Sequence, residues 1–182
     1  MDPVRLFVSI EVPHLGPLES VAEDIGGIRG ARPVPDKQRH LTLVFIGDLD
    51  AEYAEKVCEA VEGAVEGIGA FRIDLRGVGA FPNPQRPKVV WVGASDDGSM
   101  AALSEAVRNS LDAVGVGYDG KEFKPHITLA RMSGGTDVGG LVSGNKSATF
   151  GWFTCDSVNV MKSTLRPSEA VHTLIRKIPL RG

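Results

Sequence analysis

Two short stretches hold the residues best suited to chemistry: His40-Leu41-Thr42-Leu43 and His126-Ile127-Thr128-Leu129. In an extended strand, residues two apart point to the same face. Each stretch therefore sets a histidine and a threonine on one side and two aliphatic side chains on the other. The polar side is costly to bury without partners. A cleft open to water and ligand satisfies it, while the aliphatic side packs inward. Two imidazoles and two hydroxyls facing one cleft suit phosphoryl transfer. A neutral imidazole takes a proton from water, and a protonated one gives a proton to the leaving oxygen. The ordinary histidine pKa, about 6.5, lets both forms coexist near neutrality. The threonine hydroxyls can donate to non-bridging phosphate oxygens and stabilise charge as it develops. The scheme requires no metal and no other cofactor.

A single HLTL is ordinary in a strand. The doubling is what carries weight: the chain has four histidines, and two stand at equivalent places 86 residues apart. The elements that must position them are legible in the patterning. Residues 5–12, RLFVSIEV, read as a strand ended by Pro13. Leu15, Leu18, Val21, Ala22, Ile25 and Ile28 recur at helical spacing. A Gly- and Pro-rich loop, GIRGARPVPDKQ, leads to a strand over 40–46. A second helix presents Ala54, Val57, Cys58, Val61 and Val65, with Asp50 as its N-cap. Residues 71–78 alternate as a half-buried strand, GAFPNPQRP forms a rigid connector, and 88–92 form another strand. A third helix carries Met100, Leu103, Val107, Leu111 and Val114, capped by Asp97 or Ser99. Strands follow over 126–131, 149–161 and 171–178, with a Gly-rich segment after Arg131.

The offset of 86 residues, near half the chain, maps the first strand onto the strand at Lys88 to Val92, and the helix before His40 onto the helix before His126. It also maps the Lys88 strand onto the final strand near Val171. An internal duplication explains this: one domain over 1–182, built from two similar α+β lobes that bring both HxTL strands to a shared cleft.

Composition narrows the function classes. A chain of 182 residues, 42% hydrophobic and 24% charged, builds its core without disulfides or structural metal. Its two cysteines, Cys58 and Cys155, read as reduced, packed thiols of a cytoplasmic protein. The formal net charge of −3 argues against holding long nucleic acid on a broad basic surface, but allows a grip on one phosphate. No apolar run approaches a membrane span, and MDPVRLFVSIEVP lacks the features of a signal peptide. Residues 139–147, GGLVSGNKS, miss a phosphate-binding loop because Asn145 stands where lysine is required. Arg39, Lys124, Arg131, Arg86 and Lys88 are candidates for a local phosphate-attracting patch. Phe45, Phe81 and Phe123 are candidates for stacking a base, although such residues more often belong to the core.

The stretches RLFVSIEVP, RHLTLVFIGDL, GVGAFPNPQRPKVVWVG, FKPHITLAR and VNVMKSTLRPSEAVHTLIRKIPL resemble the 2H phosphoesterases. Within them, AFPNP…VVWVG and PHITLAR are similar to the RNA 2′,3′-cyclic phosphodiesterase group, historically also called 2′-5′ RNA ligases. The resemblance implies a bilobal α+β fold. Two lobes of antiparallel sheet, related by a pseudo-two-fold, carry helices on the outside and flank a central cleft. It also implies that His40 is the proton donor and His126 the proton acceptor, and that Thr42 and Thr128 hold the phosphate. Arg131 matches a basic position and orients phosphate or a neighbour. The implied reaction opens the 2′,3′-cyclic phosphate at an RNA 3′ end and leaves a 2′-phosphate. The implied protein is a cytoplasmic monomer without membrane attachment. Alternatives are 2′-5′ ligation or hydrolysis of small cyclic nucleotides or 2′-5′ linkages at the same site, and a non-catalytic module that binds RNA ends. One departure is visible: His172 stands where the group often places an aromatic residue, and it reads as a strand-surface residue rather than a third catalytic group.

Overall fold

A computed structural model describes residues 3–167 and 170–181. Among these residues nine strands are found: β1 (Pro3–Glu11), β2 (Ala31–Pro33), β3 (His40–Asp50), β4 (Phe71–Phe81), β5 (Val89–Ser95), β6 (His126–Met132), β7 (Thr149–Cys155), β8 (Ser157–Leu165) and β9 (Ala170–Pro179). Four helices accompany them: α1 (Gly16–Gly26), α2 (Ala54–Val65), α3 (Ser99–Ala113) and α4 (Gly139–Gly144). The strands form one sheet in the order β7-β4-β5-β6-β3-β1-β8-β9, with β2 pairing β6, and the strand pairings are antiparallel. Among the described residues no helix is long and apolar enough to cross a membrane.

The architecture is the expected α+β one of two lobes around a cleft. β3 and β6 meet at one partner pair, Leu41 with Ile127, and then diverge. To one side lie β5, β4 and β7; to the other lie β1, β8 and β9. The sheet is curled. A single residue, Asp156, separates β7 at one edge from β8 in the opposite half. A parallel bridge between Gly69 and Arg181 also draws the end of the chain back to the start of β4. The expected strand over 149–161 is therefore two strands, because its first part pairs β4 and its second part pairs β1 and β9. The offset mapping of the Lys88 strand onto the final strand differs from the sheet order as well. β5 stands beside β6 as β1 stands beside β3, while β9 is an outer edge as β7 is.

The helices bury the stripes that their periodicity marks. Leu18, Val21, Ala22 and Ile25 face inward from α1; Val57, Cys58, Val61 and Val65 from α2; Met100, Leu103, Val107 and Leu111 from α3. α1 packs on β6 and α3 on β3, covering the face on which Leu41, Leu43, Ile127 and Leu129 are buried. Side chains of that size each contribute about 1.5–3 kcal/mol on burial. The expected caps differ. Asp50 precedes a single 3-10 turn rather than α2, and Gly98 occupies the N-cap of α3. There Asp96 accepts from the Met100 N–H at 2.6 Å, and Asp97 accepts from the Ser99 N–H at 3.1 Å.

Each HxT strand carries a β-bulge just past its threonine. On β3 the register against β1 slips between Val8–Val44 and Ser9–Thr42. On β6 the register against β5 slips between Val90–Ala130 and Trp91–Thr128. A bulge inserts an extra residue and reverses the alternation beyond it. Accordingly Leu43 and Val44 are both buried, as are Leu129 and Ala130. The skipped carbonyls find other donors: the Ser104 hydroxyl donates to the Leu43 oxygen at 2.8 Å, and the Val34 N–H to the Leu129 oxygen at 2.9 Å.

Candidate active site

Where β3 and β6 diverge, a cleft of about 630 Å³ opens, lined by His40, Thr42, His126, Thr128 and Arg131 together. The structure thus brings all five sequence-derived candidates to one place. The Leu41–Ile127 pair explains how. In an antiparallel pair, one strand's preceding residue lies beside the other's following residue. His40 is therefore on the side of Thr128, and Thr42 on the side of His126. All four point away from the buried face of Leu41 and Ile127.

The two imidazoles are held alike. The Nδ1 of His40 lies 2.8 Å from the Gln38 carbonyl oxygen, and that of His126 lies 2.6 Å from the Lys124 carbonyl oxygen. A carbonyl only accepts, so each Nδ1 carries the proton and donates it. The tautomer is thereby set: when the ring is neutral, the lone pair is on Nε2, the atom left for a ligand. This geometry equips both histidines for proton transfer and does not by itself separate donor from acceptor.

Their packing differs. His40 has its ring centroid 4.9 Å from that of Phe7 and 5.0 Å from that of His172. His126 lies 5.2 Å from Phe81 and 5.8 Å from Trp91, whose rings pack at a tilt with 5.1 Å between centroids. Gly79, the β4 partner of Trp91, makes room for this. A β-carbon there would come within 2.1 Å of the indole ring. Burial pushes the His40 pKa below its ordinary value, against the pull of the Gln38 carbonyl, and nearby His126 and Arg131 lower it further.

His172 is corrected by the structure: it lines the cleft instead of lying on an outer strand surface. It stands edge-on to Phe7 and His40, both at 5.0 Å between centroids, and its buried Nδ1 has no hydrogen-bond partner among the described residues. Burial, aided by His40 and Arg131, lowers its pKa to about 4. At neutral pH it is an uncharged neighbour of His40.

The expected basic patch is rearranged. Arg131 lines the cleft, but Arg39 pairs with Glu19 of α1, and Lys124, Arg86 and Lys88 are not among the lining residues. Arg5 and Arg32 are, and no local sequence motif marked them. Arg32 on β2 is the register partner of Arg131, and Arg5 on β1 is held by Asp48 at 3.1 Å. Of the three candidate phenylalanines, Phe45 lines the cleft, Phe81 supports His126 and Phe123 packs against the core. Among the described residues, one group of side chains could together reach a metal ion: His14, Glu19 and Asp36, none of which lines the cleft.

Comparison with known proteins bears on this geometry. Residues 17–165 match the family model described as the 2′-5′ RNA ligase superfamily. The chain belongs to that superfamily. This accords with the resemblance carried by the HxTL stretches. Among similar proteins in the superfamily, an RNA 2′,3′-cyclic phosphodiesterase of Thermus thermophilus is 31% identical over 189 residues, covering 98% of this chain and 91% of that protein. One of Archaeoglobus fulgidus is 29% identical over 176 residues, covering 95% and 98%. Among solved structures, a Thermus thermophilus protein superimposes with a TM-score of 0.79 at 30% identity, covering 98% of each chain. Apo E. coli LigT superimposes with a TM-score of 0.74 at 22% identity over the whole of both chains, a likeness of fold.

Proposed function

We propose that this chain hydrolyses 2′,3′-cyclic phosphate ends of RNA to 2′-phosphomonoesters, by a metal-independent mechanism in which the two histidines are acid and base. The observation that carries the reading is the matched presentation of both HxT pairs in one cleft, with each Nδ1 committed to a backbone carbonyl. The names of the superfamily relatives support the substrate class. On this reading the cytoplasm is the place of action and the single chain the working unit.

The reaction follows from the chemistry of the groups. His126 Nε2 accepts a proton from water as the water oxygen bonds to phosphorus. The bond from phosphorus to the 3′ oxygen breaks on the opposite side, and His40 Nε2–H gives that oxygen its proton. One water is consumed; the product carries a 2′-phosphate and a 3′-hydroxyl. His40 ends neutral and His126 protonated, and exchange with solvent resets both. Thr42 and Thr128 donate to the non-bridging oxygens, and Arg131 offsets their charge. The lowered pKa of His40 fits an acid loaded by its substrate. In the empty cleft its burial favours the neutral ring. A bound phosphate anion favours the charged one.

The test is product analysis on an oligonucleotide ending in a 2′,3′-cyclic phosphate, with and without an added 5′-hydroxyl strand. Release of a 2′-phosphate in both arms is the expected result. A 3′-phosphate would overturn the assigned bond cleavage, a joined 2′-5′ product would make the chain a ligase, and binding without turnover at any pH would make it a binding module.

A further inference from the structure

The two histidines are held alike, but the chain enters their strands by different means. Each Nδ1 donates to the carbonyl two residues before it, that of Gln38 for His40 and that of Lys124 for His126. The peptide bearing each carbonyl ends on the residue just before the histidine, which is Arg39 in one case and Pro125 in the other. Proline fixes its own φ and pushes the residue before it toward an extended form. The covalent chain itself thus aims the Lys124 carbonyl, and the Pro125 oxygen accepts from the Ala94 N–H of β5 at 3.2 Å. An arginine imposes no such restraint on Gln38.

Before His40 the backbone makes a single 3-10 turn over Asp36–Gln38, closed by the Arg39 N–H donating to the Asp36 oxygen at 3.2 Å. Such turns have poor hydrogen-bond geometry and hold a peptide weakly. The Arg39 side chain adds a second anchor. It is only 10% exposed, and its guanidinium donates to the Glu19 carboxylate of α1. α1 packs on β2, β6 and β7, the half of the sheet that carries His126, whereas Arg39 leads into β3. The ion pair therefore pins the start of β3 to the opposite half, beside the Leu41–Ile127 pair where the two strands meet. A buried guanidinium is costly unless it is paired. Arg39 is not among the residues lining the cleft, so its charge is spent on this link rather than on a ligand.

We infer that Arg39 is a positioning residue for His40: its ion pair with Glu19 holds the peptide joining Gln38 to Arg39, and so the carbonyl that sets the His40 ring, as Pro125 does for His126. This inference rests on the reading above, in which His40 protonates the leaving oxygen. Without the pair the imidazole stays in the cleft but its orientation is freed, and a small misplacement of a reacting group costs about a hundredfold in rate. His126 keeps its proline anchor throughout.

The experiment measures kcat and KM of Arg39→Met and Glu19→Gln on a nucleoside 2′,3′-cyclic phosphate and on its analogue with sulfur as the 3′ bridging atom, from which a thiolate departs without a proton. On the ordinary substrate each variant loses about tenfold to a hundredfold in kcat, with KM changed by less than about threefold. On the sulfur analogue both stay within about threefold of the unaltered protein. Arg39→Lys, which keeps a charge for Glu19, retains most of the activity. The double variant is no worse than the poorer single one, because the two groups act as a pair. Glu19→Gln keeps the shape of a partly exposed side chain, so the test stands if Arg39→Met fails to fold. Equal losses on the two substrates, or an unchanged kcat on the ordinary one, overturn the inference. If the unaltered protein turns over neither substrate, the reading as a cyclic phosphodiesterase fails, and the positioning role is judged separately by NMR of the ring nitrogens with both histidines neutral. A His40 ring that leaves the Nδ1–H tautomer in Glu19→Gln while His126 keeps it upholds the role. Two unchanged rings, or an equal change in both, overturn it.

Discussion

Replacing His172 by phenylalanine gives a sharp test of the electrostatics around His40. The imidazole is packed edge-on to Phe7 and His40, with its Nδ1 buried and without a hydrogen-bond partner among the described residues, and its pKa is lowered to about 4. A histidine whose folded pKa lies below its unfolded value contributes nothing to pH dependence above about 6.5, where both states hold it neutral. As the pH falls through 6.5 the unfolded state takes up the proton first, so folding is progressively disfavoured down to the folded pKa. The full shift would cost about 2.5 kcal/mol at pH 4.5. The ring is only half-buried, and solvent screening reduces that to roughly 1 kcal/mol. His172→Phe keeps the aromatic packing and removes the titration. Urea unfolding near pH 7.5 should show the variant and the unaltered protein nearly equal, and near pH 4.5 the variant should be more stable by about 1 kcal/mol. A stability difference that does not change between the two pH values would refute the reasoning, and so would a variant that loses more stability at low pH than the unaltered protein.

Other consequences follow from the same geometry. Leu41→Ala empties a fully buried position at the junction of β3 and β6, and should cost about 2–5 kcal/mol in denaturant unfolding; a near-neutral result would contradict the packing described. Thr42→Val and Thr128→Val keep the shape of the strand but remove the hydroxyl of a residue that lines the cleft. Each should lower kcat by about tenfold to a hundredfold while thermal unfolding stays close to that of the unaltered protein. Turnover should persist in excess EDTA; a loss restored by added metal ion would end the metal-independent mechanism.

Much of this was legible in the sequence because it depends on local periodicity. The i, i+2 spacing within HLTL and HITL puts histidine and threonine on one face wherever the strand lies, and the aliphatic stripes of α1, α2 and α3 identify themselves. What stayed hidden depends on pairing at a distance. The 149–161 segment reads as one strand because nothing in its residues announces that Cys155 and Ser157 pair with opposite halves of a curled sheet. β2 is three residues within a Gly- and Pro-rich loop, and is made a strand by β6. α4 is only six residues, three of them glycine. Arg5 and Arg32 carry no motif and reach the cleft through the partners of their strands. From its own strand His172 reads as a surface residue, whereas the β8–β9 hairpin sets it against His40 and Phe7. The bulges that bring Phe45 and Arg131 to the cleft are invisible for the same reason: a register slip belongs to a pair of strands.

The central claim is that His40 and His126 are the acid and the base of one displacement at phosphorus. Its most direct test uses two substrates, an ordinary 2′,3′-cyclic phosphate and its analogue with sulfur in place of the 3′ bridging oxygen. A thiolate departs without needing a proton. His40→Ala and His126→Ala should each lose at least about a hundredfold on the ordinary substrate. On the sulfur analogue His40→Ala should recover most of its rate and His126→Ala should not. Full activity of either variant on the ordinary substrate, or rescue of His126→Ala in place of His40→Ala, would contradict the assignment.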